Sequence, residues 1–128
     1  MYVGLNRDNT EVVGIGEKTC KISPRHKKSM DEAVFLIREL LPQASFVILY
    51  GSCARNKAKY ESDVDLFVVC DDTDDSSVLS SVRTLKSKAA EISSPPVDIH
   101  FYKESSYNSN GDVYIDCVKK DGVTIWKR

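Results

Sequence analysis

Two aspartates one residue apart, Asp63 and Asp65, open an apolar run, and a Gly-Ser pair, Gly51-Ser52, closes the run before it, in "LYGSCARNKAKYESDVDLFVV" (49–69). On a strand, residues two apart leave the same face, so both carboxylates project together while Val64 and Leu66 face the core. Carboxylates about 7 Å apart repel each other unless a cation lies between them. A Gly-Ser turn between a strand and a short helix offers backbone N–H groups and a hydroxyl to a phosphate. Asp98, on the polar side of the alternating segment "PVDIHFY" (96–102), adds a third carboxylate if its strand lies beside the first. Three converging carboxylates and a phosphate-binding turn are the apparatus of two-metal phosphoryl or nucleotidyl transfer, with two divalent ions about 4 Å apart holding a triphosphate. Mg²⁺ is the ion such oxygen donors suit. Taken singly, each feature also has a plain structural reading, a polar strand end or a tight turn.

The flanking pattern supplies elements to hold these groups. "SMDEAVFLIRELLPQ" (29–43) reads as a helix, with Ser29 and Glu32 at capping-box spacing and Met30, Ala33, Val34, Ile37, Leu40 and Leu41 on one face. "SFVILYG" (45–51) reads as a strand buried on both faces, and "DVDLFVVC" (63–70) as a second. "SSVLSSVRTLKSKAAEISS" (76–94) is an amphipathic helix through Val78, Val82, Leu85, Ala89 and Ile92. "DVYIDCVKK" (112–120) is a short helix ended at Asp121-Gly122, with "VTIW" as a last strand. Before residue 29, "MYVGL" and "EVVGIG" pair as a hairpin across "NRDNT", and "SPRHKKS" is a solvated basic connector. The expected organisation is an N-terminal extension over 1–28 and one α+β domain over 29–128, a central mixed sheet packed with helices.

Composition narrows the class. The chain has 128 residues, 41% hydrophobic and 29% charged, with a formal net charge of −1. That is a globular balance of one-domain size. It lacks the basic excess of a protein that coats nucleic acid. No apolar stretch approaches the roughly 20 residues of a membrane span, and the N-terminus lacks the pattern of a signal peptide. Cys20, Cys53, Cys70 and Cys117 form no CxxC pair, so reduced thiols and a cytoplasmic protein are expected. "CDDTDDSS" (70–77) lacks the Gly and the closing Glu of a calcium loop and reads as an acidic helix entry. His26 and His100 read as satisfied structural histidines, since imidazole is an uncommon Mg²⁺ ligand.

The segment "GSCARNKAKYESDVDLFVV" resembles the signature of the DNA polymerase β-like nucleotidyltransferase superfamily, in its minimal nucleotidyltransferase branch. Gly51, Ser52, Ala54, Arg55, Ala58, Ser62, Asp63, Asp65 and Leu66 match it in type and spacing, and Asp98 matches the family's third carboxylate. Asn56 stands where the family has Gly; Asn tolerates the left-handed backbone better than other side-chain-bearing residues. The resemblance runs from about Ser29 to Trp126. It implies that Gly51 and Ser52 hold nucleotide phosphates, that Asp63, Asp65 and Asp98 bind metal and catalyse, and that Asp98 helps deprotonate an acceptor hydroxyl. Arg55 either faces the triphosphate or solvates the short helix. Ser62 either contributes to nucleotide binding or turns the Asp63 loop.

The activity implied is Mg²⁺-dependent transfer of a nucleoside monophosphate, AMP from ATP or the equivalent from another NTP, to a hydroxyl. The family's stand-alone domains are paired with helical HEPN-like proteins in toxin–antitoxin modules, which implies a protein acceptor and an antitoxin role. Two alternatives stay open. One is a small-molecule nucleotidyltransferase like the aminoglycoside-modifying relatives, which a homo-oligomer would favour. The other is a binding module that kept the fold without catalysis.

Overall fold

Seven residues of almost unbroken apolar character, with β-branched and aromatic side chains, form each of the two strands at the centre of the molecule. The computed structural model describes residues 10–72, 76–109 and 111–128. A hairpin of β1 (Glu11–Val13) and β2 (Cys20–Ile22) leads to α1 (Pro24–Leu40), β3 (Ala44–Tyr50), α2 (Gly51–Ala54), β4 (Val64–Cys70), α3 (Ser76–Ala89), β5 (Val97–Lys103), α4 (Glu104–Asn108), α5 (Val113–Asp121) and β6 (Val123–Lys127). The main sheet has the order β5-β4-β3-β6. β3 is antiparallel to β4 and to β6, while β4 and β5 are parallel. It is the expected mixed sheet packed with helices.

One face of the sheet carries the principal core. Val47, Leu49, Val64, Leu66 and Val68 meet Met30, Ala33, Ile37 and Leu41 from the α1 segment and Leu85 and Ala89 from α3. The period-four spacing read from both helices places these residues inward as expected. On the other face Ile48 and Phe67 pack with Val118 of α5, flanked by Phe46, Tyr50, Tyr102 and Tyr107. Cys20, Cys53 and Cys70 are buried, Cys117 is exposed, and all four are reduced. Among the described residues no helix is long and apolar enough to cross a membrane.

The structure bears on three expectations. Ser29 does not cap a helix; α1 starts five residues earlier, with Ser23 as N-cap accepting from the His26 N–H and Pro24 in the first turn. Pro is preorganised for that position and gives up no needed donor there. Ser29 is buried in mid-helix, and its hydroxyl donates to the Pro95 carbonyl at 2.8 Å. The polar "SPRHKKS" is therefore the first turns of α1. Secondly, "EVV" pairs with "CKI" in the register Glu11↔Ile22; the expected partner "MYVGL" lies outside the described residues. The hairpin docks on the domain: Val13, Cys20 and Ile22 join the core, Ile15 N–H donates to the Thr124 carbonyl at 2.9 Å, and the Lys18 ammonium donates to the Lys119 and Lys120 carbonyls at the end of α5. A cation there satisfies orphan carbonyls and the negative helix end.

The third concerns Gly122. It does end α5, but its φ is −75°, so left-handed backbone is not the reason for Gly. A Cβ there would collide with Ile48 Cγ2 and stand 2.5 Å from the Val118 carbonyl oxygen. Gly122→Ala is therefore expected to destabilise the fold by about 1–3 kcal/mol through overpacking, read as a lower denaturant midpoint with an unchanged slope. An unchanged midpoint would show that α5 can shift away from β3 without cost.

Candidate active site

The end of β3 and the start of β4 bring the signature residues together. Tyr50 pairs with Asp65 across the antiparallel β3–β4 ladder, so the turn after Tyr50 lies directly beside that carboxylate. Gly51 has φ +75°, a conformation open to Gly at little cost. A Cβ on Gly51 would strike the Asp65 Oδ2 atom. Glycine thus serves two needs, the turn and the close approach of main chain to carboxylate. α2 follows as a single turn, continued by Arg55 N–H to the Gly51 carbonyl at 3.2 Å and Lys57 N–H to the Ser52 carbonyl at 2.8 Å.

Asn56 then has φ +58°, the left-handed conformation anticipated for it. Its side chain also works: Oδ1 accepts from the Lys21 main-chain N–H at 2.8 Å, tying the loop after α2 to the hairpin. A glycine there would keep the backbone and lose the tie.

Asp98 arrives by the parallel pairing of β5 with β4. The register sets Asp65 beside Asp98 and Phe67 beside His100, so neighbouring side chains project from the same face about 4.8 Å apart at the backbone. Asp63 lies just before β4 and is exposed; its carbonyl accepts a long contact from the Cys53 thiol at 3.7 Å. The electrostatics register all three. Partial burial pushes the Asp65 carboxyl above its usual value, and the charges of Asp98 and Asp63 push it further, while His100 and Arg55 pull the other way. Asp98 Oδ2 and His100 Nε2 are 3.2 Å apart, and the His100 ring stacks on Phe67 at 4.9 Å between centroids. His100 is therefore a partner on the sheet surface, as read from its position beside Asp98.

The structure brings Asp65 and Asp98 into register beside Gly51 and holds Asp63 within their electrostatic reach. It does not gather the three into a chelating cage: among the described residues no three His, Cys, Asp or Glu side chains are posed to hold a metal ion. Uncompensated like charges repel, which favours such a spread. The donor set still fits a hard divalent cation, because it consists of carboxylate oxygens whose mutual repulsion a cation would relieve. Ser52 sits in the first turn of α2 beside Gly51. Arg55 ends α2 with its guanidinium 6.0 Å above the Tyr50 ring, on the side of Asp65 whose charge it offsets.

Ser62 has a turn role: its hydroxyl accepts from the Lys59 N–H at 2.8 Å. Its carbonyl is 3.0 Å from Nε2 of the buried His26, whose Nδ1 is 2.6 Å from the Ser23 hydroxyl. His26 is thus a satisfied core histidine that fastens the loop before Asp63 to the start of α1.

An aromatic wall stands beside the acids, and the sequence does not announce it. Tyr114 of α5 meets Phe67 at 5.6 Å and Tyr50 at 6.3 Å. Its hydroxyl is pushed above the usual tyrosine range chiefly by burial, then by Tyr102, Tyr50, Asp65 and Asp98. The only hint in the sequence is a tyrosine on a short helix, because the approach of α5 to β3 and β4 is a tertiary fact.

The family model described as "Polymerase beta, Nucleotidyltransferase" matches residues 36–128. None of the curated proteins matches the chain. Several solved structures share its fold. A chain of a toxin–antitoxin complex with AMP-PNP superposes with a TM-score of 0.56 and 23% identity, covering 77% of this chain and 73% of that one. A protein of Sulfolobus solfataricus described as a nucleotidyltransferase gives 0.55 and 24%, covering 81% and 82%. A chain of the complex between a tri-AMPylated Shewanella oneidensis HEPN toxin and an MNT antitoxin gives 0.54 and 21%, covering 80% and 73%.

Proposed function

Because the chain belongs to the polymerase β nucleotidyltransferase family, we propose that this transferase moves AMP from ATP to a hydroxyl on a partner protein, with Mg²⁺ held by Asp63, Asp65 and Asp98. The observation that carries the site is the β4–β5 register, which sets Asp98 beside Asp65 at the Gly51 turn. The protein acceptor is supported by the company of the fold. Relatives include chains of a toxin–antitoxin complex with AMP-PNP and of one whose HEPN toxin is AMPylated, so a helical HEPN-like partner is the first to test.

In this reading the main-chain N–H groups at Gly51 and the Ser52 hydroxyl hold the triphosphate. When bound, Mg²⁺ neutralises phosphate charge and stabilises the departing pyrophosphate. The acceptor oxygen attacks the α-phosphorus, the bond to the β-phosphate oxygen breaks, and Asp98 takes the hydroxyl proton. Asp98 suits that task because it is exposed on the edge strand, with His100 at hand to orient its carboxylate. Arg55 balances charge at the Asp65 end. Tyr50 and Tyr114 set an aromatic face beside the reacting groups.

The direct test is titration calorimetry with ATP, with and without Mg²⁺, on the wild type and on Asp63→Asn/Asp65→Asn. Metal-dependent binding that disappears in the variant is expected. Absence of binding in the wild type would instead favour a module that binds proteins without catalysis. Ser52→Ala is expected to weaken Mg²⁺-ATP binding by about 1.5–3 kcal/mol, the worth of a hydrogen bond to a charged group. Unchanged affinity would remove Ser52 from the phosphate site.

A further inference from the structure

A cleft of about 590 Å³ opens between β2, the start of α1 and the loop that follows α2. Lys21, Arg25 and Lys59 line it together with Asn56 and Tyr60, and none of its lining residues is acidic. This is a local concentration of positive charge in a chain whose 18 basic residues are outnumbered by 19 acidic ones. The cleft is built rather than incidental. Asn56 Oδ1 holds the Lys21 main-chain N–H at 2.8 Å. The Arg25 guanidinium lies 3.8 Å over the Tyr60 ring and donates to the Tyr60 carbonyl at 2.6 Å. Tyr60 is 72% exposed even so, leaving apolar surface beside the cations. At the floor, His26 contacts the Ser62 carbonyl, one residue before Asp63.

The position matters as much as the charge. Gly51 and Ser52 occupy one end of α2 and Asn56 follows the other end, about 6 Å along for a helix of four residues. The cleft therefore borders the acidic site without being the turn assigned to nucleotide phosphates. We infer that it receives an acidic peptide segment of the acceptor protein, whose Asp and Glu side chains flank the hydroxyl to be modified. Charge complementarity supports that occupant: two ammonium groups and a guanidinium, spread along a groove with an exposed aromatic ring, match a run of carboxylates on an extended chain better than a single small anion. The inference rests on the transferase reading for the purpose of the cleft, and its binding test is independent of catalysis.

The probe is a fluorescein-labelled copolymer of glutamate and tyrosine, followed by anisotropy at low salt on the full chain, without metal. Lys21→Gln/Lys59→Gln is expected to weaken binding about tenfold, the scale of losing two solvent-exposed ion pairs. Both side chains are exposed and the hydrogen bonds of these two residues described above use their main-chain N–H groups, so the fold should persist. The control Lys119→Gln/Lys120→Gln removes the same charge elsewhere and should leave the affinity within about twofold. In the transfer assay, Lys21→Gln/Lys59→Gln should raise KM for the copolymer and leave KM for ATP unchanged. Equal weakening in both double variants, no weakening in either, or displacement of the copolymer by ATP would overturn the inference. Loss of metal-dependent ATP binding in the wild type would sink the transferase reading and leave the copolymer result standing.

Discussion

Replacing Asp65 by Asn is expected to reduce nucleotidyl transfer to background, by about three orders of magnitude or more, while raising the unfolding temperature of the metal-free protein at neutral pH. The loss follows from removing a charge that acts where charge changes during reaction. The gain follows from the surroundings of Asp65. Burial and the charges of Asp98 and Asp63 lift its carboxyl above the usual value. A carboxyl lifted in the folded state binds its proton more tightly there than in the unfolded chain. The stabilisation it offers is complete below the unfolded value and is lost as pH rises through the lifted one. At neutral pH the charged Asp65 is therefore a net cost to the fold. Asn removes that cost, and its advantage should fade as the pH is lowered into the acid range. Adding Mg²⁺ should raise the unfolding temperature of the wild type by linkage and do less for the variant. Thermal scans across pH with parallel activity assays check both halves. Retained turnover would sink the assignment of Asp65, and an unchanged unfolding temperature would mean that Asp65 is better solvated than its neighbours imply.

Gly51→Ala is expected to lower transfer by about a hundredfold, the order that a displacement near 1 Å can cost at a reacting centre. It should also destabilise the fold by about 1–2 kcal/mol for the left-handed backbone. The two effects have separate causes. The φ of +75° strains any residue with a Cβ, and the Cβ itself drives into the Asp65 carboxylate. The carboxylate is the movable partner, so the protein is expected to fold with its acid displaced. Gly51→Ala should then bind Mg²⁺-ATP weakly, and combining it with Asp65→Ala, which removes the carboxylate that the Cβ meets, should lose less stability than the sum of the single changes. Strict additivity would show that Gly51 and Asp65 do not meet.

Much of this arrangement is written locally. The strands with β3 and β4 at the centre follow from uninterrupted apolar runs, and the inward faces of α1 and α3 follow from their spacing. The site signature is a contiguous stretch from Gly51 to Leu66, with Asp98 reached through an alternating strand, so its members can be read without knowing the fold. What escapes the sequence depends on partners distant along the chain. Ser29 and Glu32 have the spacing of a cap, yet Ser29 is spent on the Pro95 carbonyl, 66 residues away. "EVV" carries no mark of its pairing with "CKI". Asp63 falls one residue short of β4, a boundary that alternation alone does not define. The single turn Glu104–Asn108 is almost wholly polar and has no apolar periodicity to announce it. The aromatic wall and the basic cleft arise where several elements meet, and composition along the chain is silent about such meetings.

β5 is an edge strand whose ladder partner in the main sheet is β4. An edge opens locally at a smaller free energy than strands paired on both sides. Amide hydrogens along Val97–Lys103 should therefore exchange with solvent faster than those of β3 and β4. The acid contributed by the edge is also expected to be the last secured as the chain folds. Asp63 and Asp65 reach the Gly51 turn through an antiparallel pairing that spans only a short loop of chain, whereas Asp98 must wait for α3 to complete its crossing, a longer closure and a slower one. The Gly51 turn with Asp63 and Asp65 is thus expected to assemble before Asp98 joins it, and β5 amides that exchange more slowly once Mg²⁺-ATP is added would support the proposed use of Asp98.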